Sequence, residues 1–423
     1  MFFRGNPNYN VACFTAAQIS GIAGRRYPRA LAGRLYPKGI PIFPEEQLPA
    51  LIKKFKAGVV VLAYSDLPHM HVMHVASLAL ACGADFWLMG PESTMLKPGK
   101  PVISVTAVRT GCGKSQTTRA ICRVLKGEGY RVVAIRHPMP YGDLSRQVCQ
   151  RFETYGDLDK QKCTIEEREE YEPLIDAGVV VFAGVDYEKI LRAAEKEADI
   201  IVFDGGNNDF PFIRSGLRIV IADPHRPGHE ITYHPGETNL RMADIVVINK
   251  ERSAHEKNIE AVRANTRKYN PAARIIDADS EITASDPKAI EGRRALVVED
   301  GPTLTHGGMA YGAGMIAAQR HGCTAIDPRP FAVGSIRKVF ENFRHIGNVL
   351  PAMGYSSRQV GELRQTINSA DCDVVISATP IDLRRLLKVS KPVVRIGYEL
   401  DSRSMEELHS VVRRFARSST KRH

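Results

Sequence analysis

Residues 101–125 read PVISVTAVRTGCGKSQTTRAICRVL. Val102 to Val108 is an apolar, largely β-branched run without a charge, the pattern of a strand buried on both faces of a parallel sheet. It runs into Thr110-Gly111-Cys112-Gly113-Lys114-Ser115-Gln116, and then into a helical pattern with Ala120, Ile121, Val124 and Leu125 on one face. Glycines there let successive backbone N–H groups curl around phosphate oxygens with no Cβ in the way. The new helix turns its positive end toward the same anion. Lys114 offers a point charge to the terminal phosphates and Ser115 a hydroxyl to Mg²⁺. The pattern is imperfect, since Val108 stands where a further glycine belongs. The expectation is a phosphate loop binding a nucleotide through Thr110–Gln116; the plain alternative is a glycine turn carrying a surface lysine.

Apolar strands alternating with helices surround this stretch. Expected strands are Arg131–Ile135, Val179–Phe182, Ile200–Phe203, Leu217–Ala222, Ile245–Asn249 and Arg274–Asp277. Upstream, Val11–Ile19, Val59–Ser65 and Ala84–Gly90 read as strands, with helices over Leu48–Lys56 and His71–Ala81. Downstream lie ALVVED after Arg293, CDVVISA at Cys372–Ala378 and PVVRIGY at Pro392–Tyr398. Lys97-Pro98-Gly99-Lys100-Pro101 punctuates the chain as a linker. Three domains are expected: 1–98, a nucleotide-binding domain at 99–290, and 291–423.

Composition bounds the function. The chain has 423 residues, 25% charged and 43% hydrophobic, with 58 Lys+Arg against 47 Asp+Glu and a net charge of +11. No run reaches the ~18 apolar residues of a membrane span, and the polar runs are too short for a mainly disordered chain. A basic balance suits nucleic acid, a membrane surface or a small polyanion. No basic stripe with interleaved aromatics supports nucleic acid. The basic tail at Arg413–Arg417 and Lys421–His423 reads as a solvated terminus. Eight cysteines without a CxxC, and no apolar leader, point to buried thiols in the cytoplasm. A homodimer and a small polyanionic substrate are the expected partners.

The second half of the nucleotide site is expected at Asp199–Gly206, DIIVFDGG, where a strand ends in Asp204, the place for a Mg²⁺-binding acid. Ile245–Lys250, IVVINK, resembles a guanine-reading element, but Arg252 stands where its carboxylate should be, which favours ATP; Asn249 and Lys250 are expected to line the base pocket. Two loops stiffened by prolines carry bases: Arg136-His137 before Pro138–Asp143, and Asp223–Glu230 with Arg226 and His229. Both follow strands, where a parallel sheet opens its ligand crevice, and suit phosphate or carboxylate. Their plain reading is loop packing and surface ion pairs. TIEEREEYE at 164–172 reads as a solvated acidic helix face, and Leu304–Gly312 as a weaker glycine-rich anion site. His69, His71 and His74 lack a completing ligand set.

The chain resembles the cyclic 2,3-diphosphoglycerate synthetase family, and does so through AVRTGCGKSQT, VVAIRHPMPYGDL, CTIEEREEYEP, VFDGGNNDFPF, DPHRPGHE, NLRMADIVVINK, VEDGPTLTHGGMAYGAG and DPRPFAVGSI. The resemblance spans essentially the whole chain. It implies an α/β fold in which a central P-loop NTPase domain with a parallel sheet is flanked by an N-terminal Rossmann-like domain, short of its first strand, and a C-terminal α/β region. It implies an ATP-dependent ligase, with Mg²⁺, closing a pyrophosphate bond within 2,3-diphosphoglycerate to give ADP and phosphate. One substrate phosphate would take the γ-phosphoryl group; the other would then attack and expel inorganic phosphate. Lys114, Arg136 and His137 would be catalytic, Ser115 and Asp204 would hold Mg²⁺, and Arg136, His137, Arg226 and His229 would receive the polyanion. Two alternatives remain: a ligase or kinase for another small anionic metabolite, and a nucleotide-driven switch or metallochaperone.

Overall fold

The computed structural model describes residues 2–17, 22–137, 144–206, 209–305, 307–354 and 356–420. Pro138–Asp143, His306 and Lys421–His423, all named above, lie outside them. The central sheet has eight strands: β1 Val102–Ala107, β2 Val132–Arg136, β3 Gln150–Phe152, β4 Val180–Ala183, β5 Ile200–Asp204, β6 Leu217–Ala222, β7 Ile245–Ile248 and β8 Arg274–Asp277. Their spatial order is β8-β7-β6-β1-β5-β2-β4-β3, parallel except for β3 against β4. β1 and β5 are buried along their whole length, as their unbroken apolar sequences require. Helix α1, Lys114–Gly127, packs Ile121, Val124 and Leu125 onto this sheet. Each such aliphatic side chain, fully buried, contributes roughly 1.5–3 kcal/mol.

A second sheet follows: β9 Ser280–Ala284, β10 Arg294–Asp300, β11 Thr324–Ala325, β12 Leu350–Ala352, β13 Val374–Ala378 and β14 Val393–Leu400. β10 is its hub, parallel to β11, β12 and β13; β14 lies parallel to β13, and β9 antiparallel to β14.

Helix α2, Ile165–Asp176, joins the two cores. Ile165 is buried with the second sheet's side chains, Tyr171 and Leu174 with the first's. Its acidic residues are therefore no solvated face: Glu166, Glu167, Glu169 and Glu172 are all buried. The run has charge on every side, so its sequence could not reveal that both flanks would be covered.

The tail also departs from expectation. Ser402–Thr420 is one helix, α3, which buries Leu408, Val412 and Ala416 against the first core while Arg413 and Arg417 reach Glu128. An i, i+4, i+8 apolar stripe lay between the arginines. In the N-terminal part, Val59–Val61 pairs parallel with Asp85–Trp87 across the helix His69–Ala81, as the alternation implies. Phe14–Ala16 instead joins a separate sheet with Ile40–Pro44 and Arg26–Tyr27. No helix among the described residues is long and apolar enough to cross a membrane.

Candidate functional site

The loop after β1 takes the conformation its glycines permit. Gly111 and Gly113 have φ of 81° and 103°, a region costly for other residues. A Cβ on Gly113 would fall 2.1 Å from Asn249 Nδ2, and one on Gly111 would fall 3.2 Å from Thr303 Cγ2. The loop is thus held between the end of β7 and a segment following β10.

Asn249 Nδ2 donates to the Cys112 carbonyl at 2.8 Å, and Lys250 Nζ to the Gly111 carbonyl at 2.8 Å and to Asp223 at 2.7 Å. In this state both side chains brace the loop from behind. Gln116 is buried and donates to Ser280 Oγ at 2.6 Å, tying the loop's helix to β9. Thr110 Oγ1 donates to Asp66 at 3.0 Å, and Arg109 Nε donates to the same carboxylate at 2.6 Å. Burial raises the Cys112 thiol to about 11, so it is no thiolate at the helix start.

Lys114 Nζ lies 2.6 Å from Asp204 Oδ1, at the carboxyl end of β5. Burial and the nearby Arg136 lower this ammonium to about 8, with Asp204 partly offsetting them. Burial would raise the Asp204 carboxyl, but the charges of Arg136 and Lys114 and the hydrogen bonds from Lys114 and Thr118 outweigh it and hold it below its ordinary value. Arg136, 1% exposed, forms ion pairs with Asp204 and with Glu170 of α2. His137 Nε2 shares a hydrogen bond with Tyr187 Oη at 2.9 Å. Arg226 is spent on Asp223, the Gly307 carbonyl and Cys112 Sγ. His229 Nδ1 lies 2.7 Å from Arg109, and burial with that guanidinium lowers the imidazole to about 4. It is neutral at physiological pH.

Ser115 and Asp204 are hard oxygen donors on adjoining elements, Ser115 opening α1 and Asp204 ending β5. That chemistry fits Mg²⁺, which takes a few protein oxygens and keeps waters.

The carboxyl ends of the two sheets meet across the phosphate loop and α2: Thr303, after β10, lies against Gly111, and Thr379, after β13, reaches Glu169. From β10 come Glu299 and Asp300, and beyond β13 comes Thr379. Glu166 accepts from the Gly354 amide at 3.1 Å, Glu169 from Thr379 Oγ1 at 2.7 Å, and Glu172 from the Asp382 amide at 3.3 Å. Burial raises Glu166 and Glu299 to about 7, and Glu169 well above the carboxylate range. The glycine-rich stretch to Gly312 does receive an anion, but it is the protein's own: Glu299 Oε1 accepts from Gly312 at 3.0 Å and Met315 at 2.9 Å. Sequence reasoning missed Asp66, Arg109, Glu169, Glu170 and Asp300. The only signals were strand-end position for Asp300 and adjacency to the loop for Arg109. Among the described residues, His69, His71 and His74 belong to no metal-holding group.

Glu299 sets a pH dependence. It titrates near 7 in the fold and near 4.5 when unfolded, so the native state holds more protons between those values. Its contribution is full below about 4.5 and lost as pH rises through about 7. Glu299→Gln keeps the acceptor and removes the titration. Denaturant midpoints should show a flatter stability profile over that window than in the unaltered chain; an identical slope would refute the assignment.

The family model for the cyclic 2,3-diphosphoglycerate synthetase P-loop domain matches residues 176–278. A protein named arginine synthetase ArcE, from Thermococcus kodakarensis, is 59% identical over 422 residues, 100% of this chain and 94% of that one. The cyclic 2,3-diphosphoglycerate synthetase of Rubrobacter xylanophilus is 25% identical over 57% of this chain and 61% of its own length. That of Pyrococcus furiosus is 25% identical over 49% and 51%. Among solved structures, LpxK from Aquifex aeolicus in complex with ATP aligns with 87% of this chain and 99% of its own at a TM-score of 0.46 and 16% identity. The matched P-loop domain and the 59% identity over the whole chain agree: the chain shares its family with arginine synthetase ArcE, belongs to the cyclic 2,3-diphosphoglycerate synthetase family of P-loop proteins, and is an ATP-dependent ligase-like enzyme.

Proposed function

We propose that this enzyme uses ATP to build a guanidino group, with arginine as its product. The observation that carries the reading is the 59% identity, over all of this chain, to a protein named for that product. The charge placement supports it. Arg136, Arg226 and Lys250 each already face a carboxylate, and Glu169, Glu299 and Asp300 gather near Tyr398. Cations already paired with the protein's own carboxylates are poor receptors for a polyanion, whereas carboxyl groups that burial holds partly protonated suit a neutral or cationic acceptor.

The chemistry follows from the product. A guanidinium differs from a urea by one nitrogen in place of oxygen. The loop amides and Lys114 would hold the triphosphate while the urea oxygen attacks the γ-phosphorus and ADP leaves. A nitrogen nucleophile then displaces phosphate from carbon. Ser115 and Asp204 would hold Mg²⁺, which when bound offsets charge on the phosphate oxygens. Asp204 restrains Lys114 until phosphate arrives, and Arg136 fixes Asp204.

A second reading, closure of 2,3-diphosphoglycerate to its cyclic form with ADP and phosphate as co-products, is favoured by the family description at residues 176–278. In it, Arg136, His137, Arg226 and His229 receive the polyanion, and the base of ATP lies against Asn249 and Lys250.

One assay separates them. With Mg-ATP, the enzyme should release ADP and form arginine from citrulline (the urea on arginine's skeleton) and ammonium. It should release little ADP with 2,3-diphosphoglycerate. A cyclic pyrophosphate signal by phosphorus NMR, without arginine formation, would establish the second reading instead.

A further inference from the structure

Asp66 stands in the N-terminal part, between the strand Val59–Val61 and the helix His69–Ala81. Its φ is 59°, in the left-handed region that a non-glycine residue occupies only at a cost. The backbone after it is fixed by a short antiparallel ribbon: Leu67 pairs with His234 and Pro68 with Tyr233, and the His69 amide donates to the Thr232 carbonyl at 2.9 Å. The segment that carries Asp66 is thus fastened to the chain that follows β6.

These two segments close around Arg109, two residues before Gly111. The side chains of Arg109 and Asp66 are each 7% exposed. Arg109 Nε donates to Asp66 Oδ1 at 2.6 Å, and its guanidinium carbon lies 3.8 Å from the centroid of the Tyr233 ring. A guanidinium has no acceptor to offer, so Nη1 donates to His229 Nδ1, 2.7 Å away. The other carboxylate oxygen, Asp66 Oδ2, accepts from the Thr110 hydroxyl at 3.0 Å. One carboxylate therefore holds both the residue before the phosphate loop and the first residue of that loop.

A bare carboxylate beside a phosphate loop repels the nucleotide. Arg109 offsets that charge, and what Asp66 then contributes is geometry. The loop is gripped at both ends, by Asp66 on Thr110 and by Lys250 and Asn249 on the Gly111 and Cys112 carbonyls. Between the grips lie the glycines, the residues whose ordering costs the most backbone entropy. A loop held in this way meets phosphate already ordered.

We propose that Asp66 is a positioning residue for nucleotide binding, which acts through Arg109 and Thr110 to keep the phosphate loop in its binding conformation. The N-terminal part thereby supplies one support of the nucleotide site. The inference rests on the phosphate-loop reading of Thr110–Gln116 and on neither choice of acceptor.

Calorimetry with Mg-ADP and steady-state kinetics with Mg-ATP test it. Asp66→Ala releases both Arg109 and Thr110; it should weaken Mg-ADP binding and raise the KM for ATP by about tenfold, the effect of one lost hydrogen bond to a charged group. The KM for the acceptor turned over, citrulline or 2,3-diphosphoglycerate, should stay within about twofold, since no acceptor group is touched. Asp66→Asn keeps an oxygen for Arg109 and turns its amide to the Thr110 hydroxyl, which can accept; it should fold and lose about threefold or less. In a Thr110→Val background, Asp66→Ala should cost less than about fivefold, because one of its two targets is already gone. Unchanged nucleotide affinity in a folded Asp66→Ala, an equal rise in the acceptor KM, or failure of both Asp66 variants to fold would overturn the assignment and leave Asp66 a structural ion pair. Near-normal turnover in Lys114→Ala would instead overturn the phosphate-loop reading, and this one with it.

Discussion

Replacing Lys114 with alanine is expected to cut ATP-dependent turnover by at least about 10²–10³-fold, the cost of removing one preorganised charge from a site where charge develops. Lys114 is the cation next to the loop amides, and its restraint on Asp204 is a single contact of 2.6 Å. Although burial and Arg136 lower it to about 8, it remains mainly cationic at neutral pH. The fold should survive, because Asp204 keeps Arg136 and the Thr118 hydroxyl at 3.0 Å. Steady-state rates with a thermal-unfolding control check this. Near-normal turnover in a folded variant would remove Lys114 from the phosphate site and, with it, the mechanism.

Arg136→Ala should instead unfold the protein more readily, by roughly 3–5 kcal/mol, because it strands a buried carboxylate. Arg136 is 1% exposed and bridges Asp204 on β5 to Glu170 on α2. It is thus a rivet between the central sheet and the helix that carries the buried glutamates. Removing it leaves Asp204, among the described residues, with Lys114 as its one cation beside the Thr118 hydroxyl, and Lys114 must then choose between carboxylate and phosphate. Denaturant unfolding of the single variant, and of Arg136→Met combined with Asp204→Asn, would measure this; the double variant should recover much of the loss. Unaltered stability with acceptor use alone impaired would return Arg136 to the ligand-receiving role that its strand-end position suggests.

The two outcomes differ because the residues were legible to different degrees. Lys114 follows a buried strand and two glycines, and that local pattern alone places it at the start of the helix after the loop. The central strands were legible for the same reason: continuous β-branched runs such as IIVF and IVVI have no stable place other than a covered parallel sheet. Arg136 was legible as a strand-end base, but whether it meets a ligand or Asp204 and Glu170 depends on elements 68 and 34 residues away. The acidic run at 164–172 misled for a related reason. A charged helix is solvated unless two cores close over it, and the second core is assembled from residues after 290.

What the sequence determined by itself was local and periodic: the alternation of strand and helix, the left-handed glycines at 111 and 113, and Lys114 and Ser115 at a helix start. What only the tertiary structure decided was pairing. It joined Asp204 to Lys114 and Arg136, Asn249 and Lys250 to the loop carbonyls, and Glu169 to Asp300 across more than a hundred residues. Hydrophobic periodicity is written within a single element, whereas the partner of a buried charge is chosen by whichever element the packed cores bring against it.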